Sequence, residues 1–328
     1  MVKKKKPVVK VPKNEVQNVM RRLKEEERLD PARVPKEIDE HVLIPVEGEG
    51  DLNTDQLDYR TPRKSPMETI RERLGMEGDP LPDRWEKIGD VLLFKLPEAL
   101  MDDRERIAEV YAHVLGAKTV LIQGPIDGVT RHPEVEKVFG EETETIHLEN
   151  GISYKLDTSK IMFSSGNIDE RTHMASVVKR GEVIIDMFAG IGYFTLPMAV
   201  YGEPERIHAL EINPTAHRYL SDNIELNGVE DIVIPHLGDN RDFDPPEEVD
   251  RIVMGYLHHT EKFLPKALEF MNGEGTIHYH CNVKGKDIED EIHKHLKPHI
   301  DTYRLLDVRN VKSYAPHVYH VVADIRVG

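Results

Sequence analysis

Residues 183–194 read VIIDMFAGIGYF: an apolar run, a single acid, then Gly190 and Gly192 spaced Gly-x-Gly. An uninterrupted apolar run of this length is the pattern of a strand buried on both faces of a parallel sheet. The two glycines let the chain turn sharply and bring its backbone against a ligand, and ligands of such sheets sit beyond the carboxyl ends of the strands. Glu211 closes the next apolar run, 19 residues past Gly192, where a carboxylate can accept hydrogen bonds from both hydroxyls of a ribose. A third run ends in LGDNRDF, which brings Asp239 and Asn240 to the same rim. A short polar pair there can bond the amine and ring nitrogen of an adenine. The chemistry in view is the grip on a nucleoside.

Two nucleoside ligands compete. A dinucleotide turn carries Gly-x-Gly-x-x-Gly, but the third position here is Thr195. Asp186 stands just before the turn, where its charge disfavours a pyrophosphate and suits an ammonium or an ordered water. Both points favour S-adenosylmethionine, which joins an adenosine to a cationic sulfonium and an amino-acid end. Phe188, Ala189 and Gly190 are expected to line that cofactor through their backbone. Taken without the other strand ends, the glycines fit an ordinary tight turn equally well.

Strands and helices must hold these ends in one row, and the patterning provides them. From residue 156 to 328 strand and helix alternate: EVIIDMF, RIHALEI, DIVIPHLGD, VDRIVMGYL and GTIHYHCNV read as strands. Helices lie between several of them, as in PTAHRYLSDNIELNG with Asn213 as cap, Pro214 at the first position and Gly228 as stop. TYRLLDVRNV and HVYHVVADIRV look like a closing antiparallel pair. This predicts an α/β protein with a Rossmann-like, class I methyltransferase layout, a mostly parallel sheet covered on both faces. Residues 80–155 predict a smaller α/β domain, with a hairpin turning on Asn150-Gly151. Residues 1–76 are charge-dense and proline-punctuated, with one helical piece in NEVQNVMRRLKEEERL, and are expected to be a partly disordered or loosely docked extension.

Composition narrows the class. Of the 328 residues 32% are charged and 39% hydrophobic, which predicts a globular protein with a polar surface. No apolar run approaches a membrane span, and the basic start MVKKKKPVVKVPK has no apolar segment behind it to make a secretory signal. Cys281 is the only cysteine, which excludes an internal disulfide and a multi-cysteine zinc site. A cytoplasmic location is the expectation. The net charge of −16 weighs mildly against a nucleic-acid partner, although the lysine run and RLLDVRNVKSY are each either a phosphate contact or simply solvated.

The turn after the fourth strand decides between chemistries. Amino-methyltransferases acting on bases usually place a proline-bearing turn there to hold the target nitrogen. RIVMGYLHHT instead puts Gly255 and Tyr256 at that point, with no proline or amide. Together FSSGNIDER, DMFAGIGYFTLP, EINP, LNGVED, GDNRDF, IVMGYLHHTEKFLPKAL, IHYHCNV and VKSYAPHVYHVVADIRV resemble the archaeal-type wybutosine-synthesising aminocarboxypropyltransferases of tRNA. The resemblance spans roughly residues 82–328 and leaves the residues before 76 unassigned. The sister family, the tRNA guanine-37 N1-methyltransferases, shares the glycine turn and the VKSY ending. It carries an Asn-x-Pro-type turn where Gly255 lies and Phe-Ser-Pro-Arg where this chain has FSSG.

The resemblance implies transfer of the 3-amino-3-carboxypropyl group of S-adenosylmethionine to carbon 7 of 4-demethylwyosine, at position 37 in the anticodon loop of tRNA-Phe. Methylthioadenosine is the other product, and neither a metal nor an oligomer is required. Carried over by position, the cofactor ligands are Ser164, Arg171, Glu211, Asp239 and Asn240, with Arg171 placed to pair with the methionine carboxylate. The plainer reading makes Arg171 a surface helix residue behind Glu170. Tyr256 either walls the pocket or simply packs. His278 and His280 alternate on one strand and so share a face; they are expected either to meet the RNA base or to pack at the strand end. With Tyr256 they are the catalytic candidates, and with His258 and His259 a metal site is the remote alternative. Cys281 points the other way. Trp85 and Arg131 of GVTRHPE are further candidates for RNA contact. Methyl transfer to guanine-37 and non-catalytic RNA binding are the competing functions.

Overall fold

In the computed structural model, residues 6–54, 57, 64–124, 135–271, 273–285, 287–315 and 317–328 are described. The lysines at positions 3–5 and the loop bearing Arg131 lie outside them. The chain divides into two compact units, Met1–Glu68 and Thr69–Gly328.

The first unit is a packed sheet where the sequence suggested a partly disordered stretch. β1 (Lys6–Pro12) pairs antiparallel with β3 (His41–Pro45) and with β4 (Leu52–Thr54), and β2 (Lys36–Ile38) extends the sheet to the order β2-β3-β1-β4. Val11, Val42, Ile44 and Val46 are buried with Leu23 of α1 (Val16–Glu25). Arg33, itself buried, pairs with Asp30 at 2.6 Å and donates to the carbonyls of Pro7 and Val46. The charges misled because β1 exposes Lys6 and Lys10 while burying Val8 and Val11. Its partner strand lies some 30 residues away, beyond the reach of local patterning.

In the second unit, β5 (Glu86–Ile88), β6 (Val91–Phe94), β7 (Thr119–Gln123) and β8 (Val135–Phe139) form a sheet in chain order. α2 (Pro66–Leu74) runs into this unit, where Arg106 donates to the Leu74 carbonyl at 2.6 Å. That puts the boundary near residue 68, ahead of the expected 76. α3 (Arg104–Leu115) links the parallel pair β6 and β7 and stops at Gly116, whose φ of +65° is the left-handed cap that glycine permits. The hairpin β9 (Glu144–Glu149) and β10 (Ile152–Asp157) turns on Asn150 and Gly151 at φ +49° and +79°, the geometry this dipeptide favours.

The main sheet contains, among the described residues, β11 (Val183–Asp186), β12 (Arg206–Glu211), β13 (Val233–Leu237), β14 (Arg251–Met254), β15 (Gly275–Lys284), β16 (Tyr303–Ala315) and β17 (Val318–Val327). Their order is β13-β12-β11-β14-β15-β17-β16, with β17 antiparallel to both neighbours and the other pairings parallel. This is the class I methyltransferase layout expected. Ile184 and Ile185, adjacent and fully buried, face opposite layers. One layer takes α4 (Ile168–Val177), α5 (Thr195–Tyr201) and α6 (Pro214–Leu226); the other takes α7 (Leu264–Phe270) and α8 (Ile288–Leu296). Strand order reverses between β11 and β14, so a cleft opens where the chain leaves these two strands. Among the described residues no helix is long and apolar enough to cross a membrane.

Asn223 of α6 ties three parts together. Its Oδ1 accepts from the Lys155 amide at 2.6 Å, and its Nδ2 donates to the carbonyls of Lys155 and Ile191 at 3.1 and 3.0 Å. The side chain is fully buried, so Asn223→Ala leaves these groups in a dry site without a partner. The expected loss is about 3 kcal/mol, seen by calorimetry as a fall of roughly 6–12 °C in the Tm of the second unit. A shift below 2 °C would mean that water replaces the amide.

Candidate functional site

The glycine turn is held from two sides by carboxylates. Glu211, at the end of β12, accepts from the Gly190 amide at 2.8 Å through Oε2 and from the Asn213 amide at 2.7 Å through Oε1. Burial pushes its pKa up, and the amides of Asn213 and Gly190 offset only part of that. Asp186, at the end of β11, is fully buried; it accepts from the Thr195 hydroxyl at 2.8 Å and the Phe188 amide at 3.2 Å. Burial raises its pKa to about 6 against the opposing pull of Thr195. A Cβ on Gly190, at φ +60°, would fall 2.6 Å from the Tyr193 ring, and one on Gly192 would fall 2.8 Å from Leu196 Cγ. Gly190 is therefore required by the turn itself and Gly192 by the packing of α5.

Beyond these strand ends lies a cavity of about 680 Å³, a common size for a small-molecule site. Asp239, Asn240 and Arg241 line it where β13 ends, and Gly255 with Tyr256 where β14 ends. Phe188 stacks on Tyr256 with centroids 5.1 Å apart and meets Phe263 edge-on at 5.0 Å. Gly255 has no room for a side chain, because a Cβ would come within 2.9 Å of the Phe194 ring. Asn240 donates through Nδ2 to the Met187 carbonyl at 2.9 Å, and its buried Oδ1 has no partner. Asp239 accepts from both the amide and the guanidinium of Arg241.

Of the residues expected at the site, Phe188, Gly190, Glu211, Asp239, Asn240, Gly255 and Tyr256 line this cavity together. Tyr256 is thus a wall residue. Asp186, Ala189 and Gly192 shape the turn from beneath: the Ala189 amide donates to the Leu210 carbonyl at 2.9 Å. Ser164 and Arg171 do not line the cavity. Arg171 is buried, gives Glu149 two hydrogen bonds of 2.6 Å and the Ser164 carbonyl one of 3.0 Å, and lies 4.9 Å over the Phe163 ring. The Ser164 hydroxyl accepts from Lys312 at 2.7 Å. Arg171 is neither a cavity cation nor a surface residue here, because Glu149 on β9 supplies its counter-charge.

The histidines take the packing role of the two left open. Arg251 donates to His278 Nε2 at 2.6 Å, so the proton sits on Nδ1 and is donated to Asp324 at 2.6 Å. His280 lies 3.1 Å from His320 through Nδ1 and 5.0 Å from the Phe194 ring. Cys281, on the opposite face, is buried, and that burial pushes its thiol up to about 12, which leaves it inert. Trp85 stands edge-on to Tyr111 at 6.2 Å. Sequence reasoning missed Ile212, Lys160 and Met162, which also line the cavity. Ile212 is 64% exposed, and its signal was an apolar residue placed just past the acid that ends β12, outside the strand period.

Residues 145–306 match the model of the TRM5/TYW2 methyltransferase domain, residues 68–143 that of the TYW2 N-terminal domain, and residues 9–50 that of the tRNA methyltransferase 5 N-terminal domain. The tRNA(Phe) (4-demethylwyosine(37)-C(7)) aminocarboxypropyltransferase of Pyrococcus horikoshii is 48% identical over 75% of this chain and 90% of its own. The chain belongs to the TRM5/TYW2 family. The crystal structure of P. horikoshii TYW2 in complex with MeSAdo aligns at a TM-score of 0.71, with 45% identity, over 79% of this chain and 97% of that one. That of Trm5b from Pyrococcus abyssi aligns at 0.74, with 32% identity, over 98% and 99%. The match of residues 9–50, to the N-terminal domain of tRNA methyltransferase 5, gives a likeness to a stretch that the sequence left unassigned.

Burial drives the pKa of His278 down, and that of His280 down to about 3 with the charge of Arg309 adding to the effect. Both rings are neutral in the fold and titrate near 6.5 once unfolded. The unfolded chain therefore takes up more protons as pH drops below 6.5. This contribution to stability is complete above that pH and is lost on the way down toward 3. His280→Gln is expected to remove about one proton from the pH dependence of the unfolding free energy between pH 6.5 and 4. Denaturant midpoints at a series of pH values measure it; an unchanged slope would mean that the ring is already protonated in the fold.

Proposed function

We propose that the chain transfers the 3-amino-3-carboxypropyl group of S-adenosylmethionine to carbon 7 of 4-demethylwyosine at position 37, in the anticodon loop of tRNA(Phe). The observation that carries this reading is a cavity with nucleoside-binding strand ends whose fourth-strand turn is Gly255-Tyr256, closed by the Phe188 ring. That turn has no amide or proline side chain to hold a base nitrogen beside a methyl group. The 48% identity to the P. horikoshii aminocarboxypropyltransferase points the same way.

The residues present fit the cofactor. Glu211 spends one hydrogen bond per oxygen on the backbone, and each oxygen keeps a lone pair for a ribose hydroxyl. The unpartnered Oδ1 of Asn240 is an acceptor for an amine. Ile212 offers an apolar shelf, and the faces of Phe188 and Tyr256 attract a cation. A pyrophosphate does not fit, because Glu211 already occupies the Gly190 amide and sets a negative charge where the phosphates would lie. When bound, the sulfonium activates each of its attached carbons, and the carbon held toward the base determines what is transferred. The residues of this chain bind, orient and exclude water; the base is itself an electron-rich carbon nucleophile.

Methyl transfer to guanine-37 is the second reading, favoured by the match of residues 9–50 and by the full-length alignment with Trm5b. Two labels separate the readings. With tRNA(Phe) bearing 4-demethylwyosine, cofactor labelled in the carboxyl carbon is expected to label the RNA, and cofactor labelled in the methyl group to label released methylthioadenosine. Methyl label in the RNA would reverse the assignment. Glu211→Ala removes the ribose acceptor and frees the Gly190 amide; an affinity loss of about 100-fold is expected for both S-adenosylmethionine and methylthioadenosine. Calorimetry reads it, and unchanged affinity would remove Glu211 from the site.

A further inference from the structure

We propose that Lys160 receives the carboxylate of the amino-acid arm of S-adenosylmethionine. The inference rests on the cofactor reading above and names the residue that holds the end of the transferred group. A carboxylate drawn out of water needs a charged hydrogen-bond partner. Arg171, the basic residue expected for the task, gives its hydrogen bonds to Glu149 and the Ser164 carbonyl and does not line the cavity.

Among the described residues that line the cavity, the lysines and arginines are Lys160 and Arg241. Arg241 is clamped by Asp239 through its backbone and its guanidinium, beside Asn240 and so at the end suited to the base. Lys160 lies on another wall, two residues before Met162, whose carbonyl accepts from the Tyr193 hydroxyl just past the glycine turn. That wall adjoins Gly190 through the Tyr193 ring.

Lys160 is also free to move. Its ammonium rests on Asp157 Oδ2 at 2.7 Å, and its side chain is 58% exposed. Asp157 keeps other partners when the lysine leaves, because Oδ1 accepts from the Thr143 hydroxyl at 2.7 Å, the Ser159 hydroxyl at 2.6 Å and the Ser159 amide at 3.0 Å. Burial opposes ionisation of Asp157, but the hydrogen bonds from Lys160, Ser159 and Thr143 prevail and hold its pKa at about 2. The aspartate parks a charged lysine beside the cavity, and four flexible carbons let the ammonium swing inward.

Methylthioadenosine, which lacks the arm, provides the control. Titration calorimetry on the full chain compares the parent with Lys160→Met, using S-adenosylmethionine and methylthioadenosine in turn. The expected result is about tenfold weaker S-adenosylmethionine binding with methylthioadenosine unchanged, and recovery of most of the loss in Lys160→Arg. Equal weakening of both ligands would make Lys160 a prop for the cavity wall and overturn the proposal. So would unchanged S-adenosylmethionine affinity, with or without a loss of tRNA binding. A parent protein that binds neither ligand would instead remove the cofactor reading itself.

Discussion

A half-buried carboxylate bridging two backbone amides is the constraint on which the cavity depends. Glu211 joins the Gly190 amide, in the turn after β11, to the Asn213 amide, which opens α6. The side chain of Asn213 then caps α6 through the amides of Thr215 and Ala216. One acid thus fixes the distance between the glycine turn and the start of the next helix. It also fills the donor that a phosphate would use. A parallel sheet with a glycine turn is open to many nucleotides, and this carboxylate sets a negative charge beside the turn where phosphates would otherwise lie.

The surrounding scaffold repeats the device of satisfying backbone with side chains. Asn223 of α6 and Asn227, which caps its C-terminus, pin β10 by its own amides and carbonyls, so the hairpin lies on the helix that carries one wall of the cavity. Beneath the sheet, Arg251, His278, Asp324, Arg309 and Glu170 form a chain of short hydrogen bonds from β14 through β15 and β17 to β16 and α4. Burying such charges is costly unless every partner is present. What the chain gains is register: α4 is tied through β16, β17 and β15 to β14, the strand whose end borders the cavity.

Much of this was legible because it is local. The Asn150-Gly151 turn, the Asn213 cap with Pro214 behind it, the stop at Gly116 and the run-acid-glycine pattern of β11 all act within a few residues, and each is found where its residues imply. The strand ends that meet at the cavity followed from one further rule, that parallel strands deliver their carboxyl ends to one edge. What escaped was long-range. Arg171 looks available for a ligand until Glu149, 22 residues earlier, is seen to hold it. His278 and His280 look like surface chemistry until Asp324 and His320 arrive from β17. The sheet of the first unit needs β3 to cover β1, and the lysines of β1 hide its buried face.

The cavity wall at the end of β14 is where the proposed choice of product bears on this chain's own residues. Gly255 is pressed against the Phe194 ring, and Phe194 in turn lies against His280. No larger residue fits at 255 without moving that stack. The position therefore offers neither a side-chain acceptor nor the space for one, and the faces of Phe188 and Tyr256 take over the wall. Aromatic faces attract a cation without offering a hydrogen-bond acceptor that would fix the amine of a base. On the proposed reading, orientation of the cofactor comes from its far end, where the charged groups of the amino-acid arm are, and the exposed lysine bordering the cavity is Lys160.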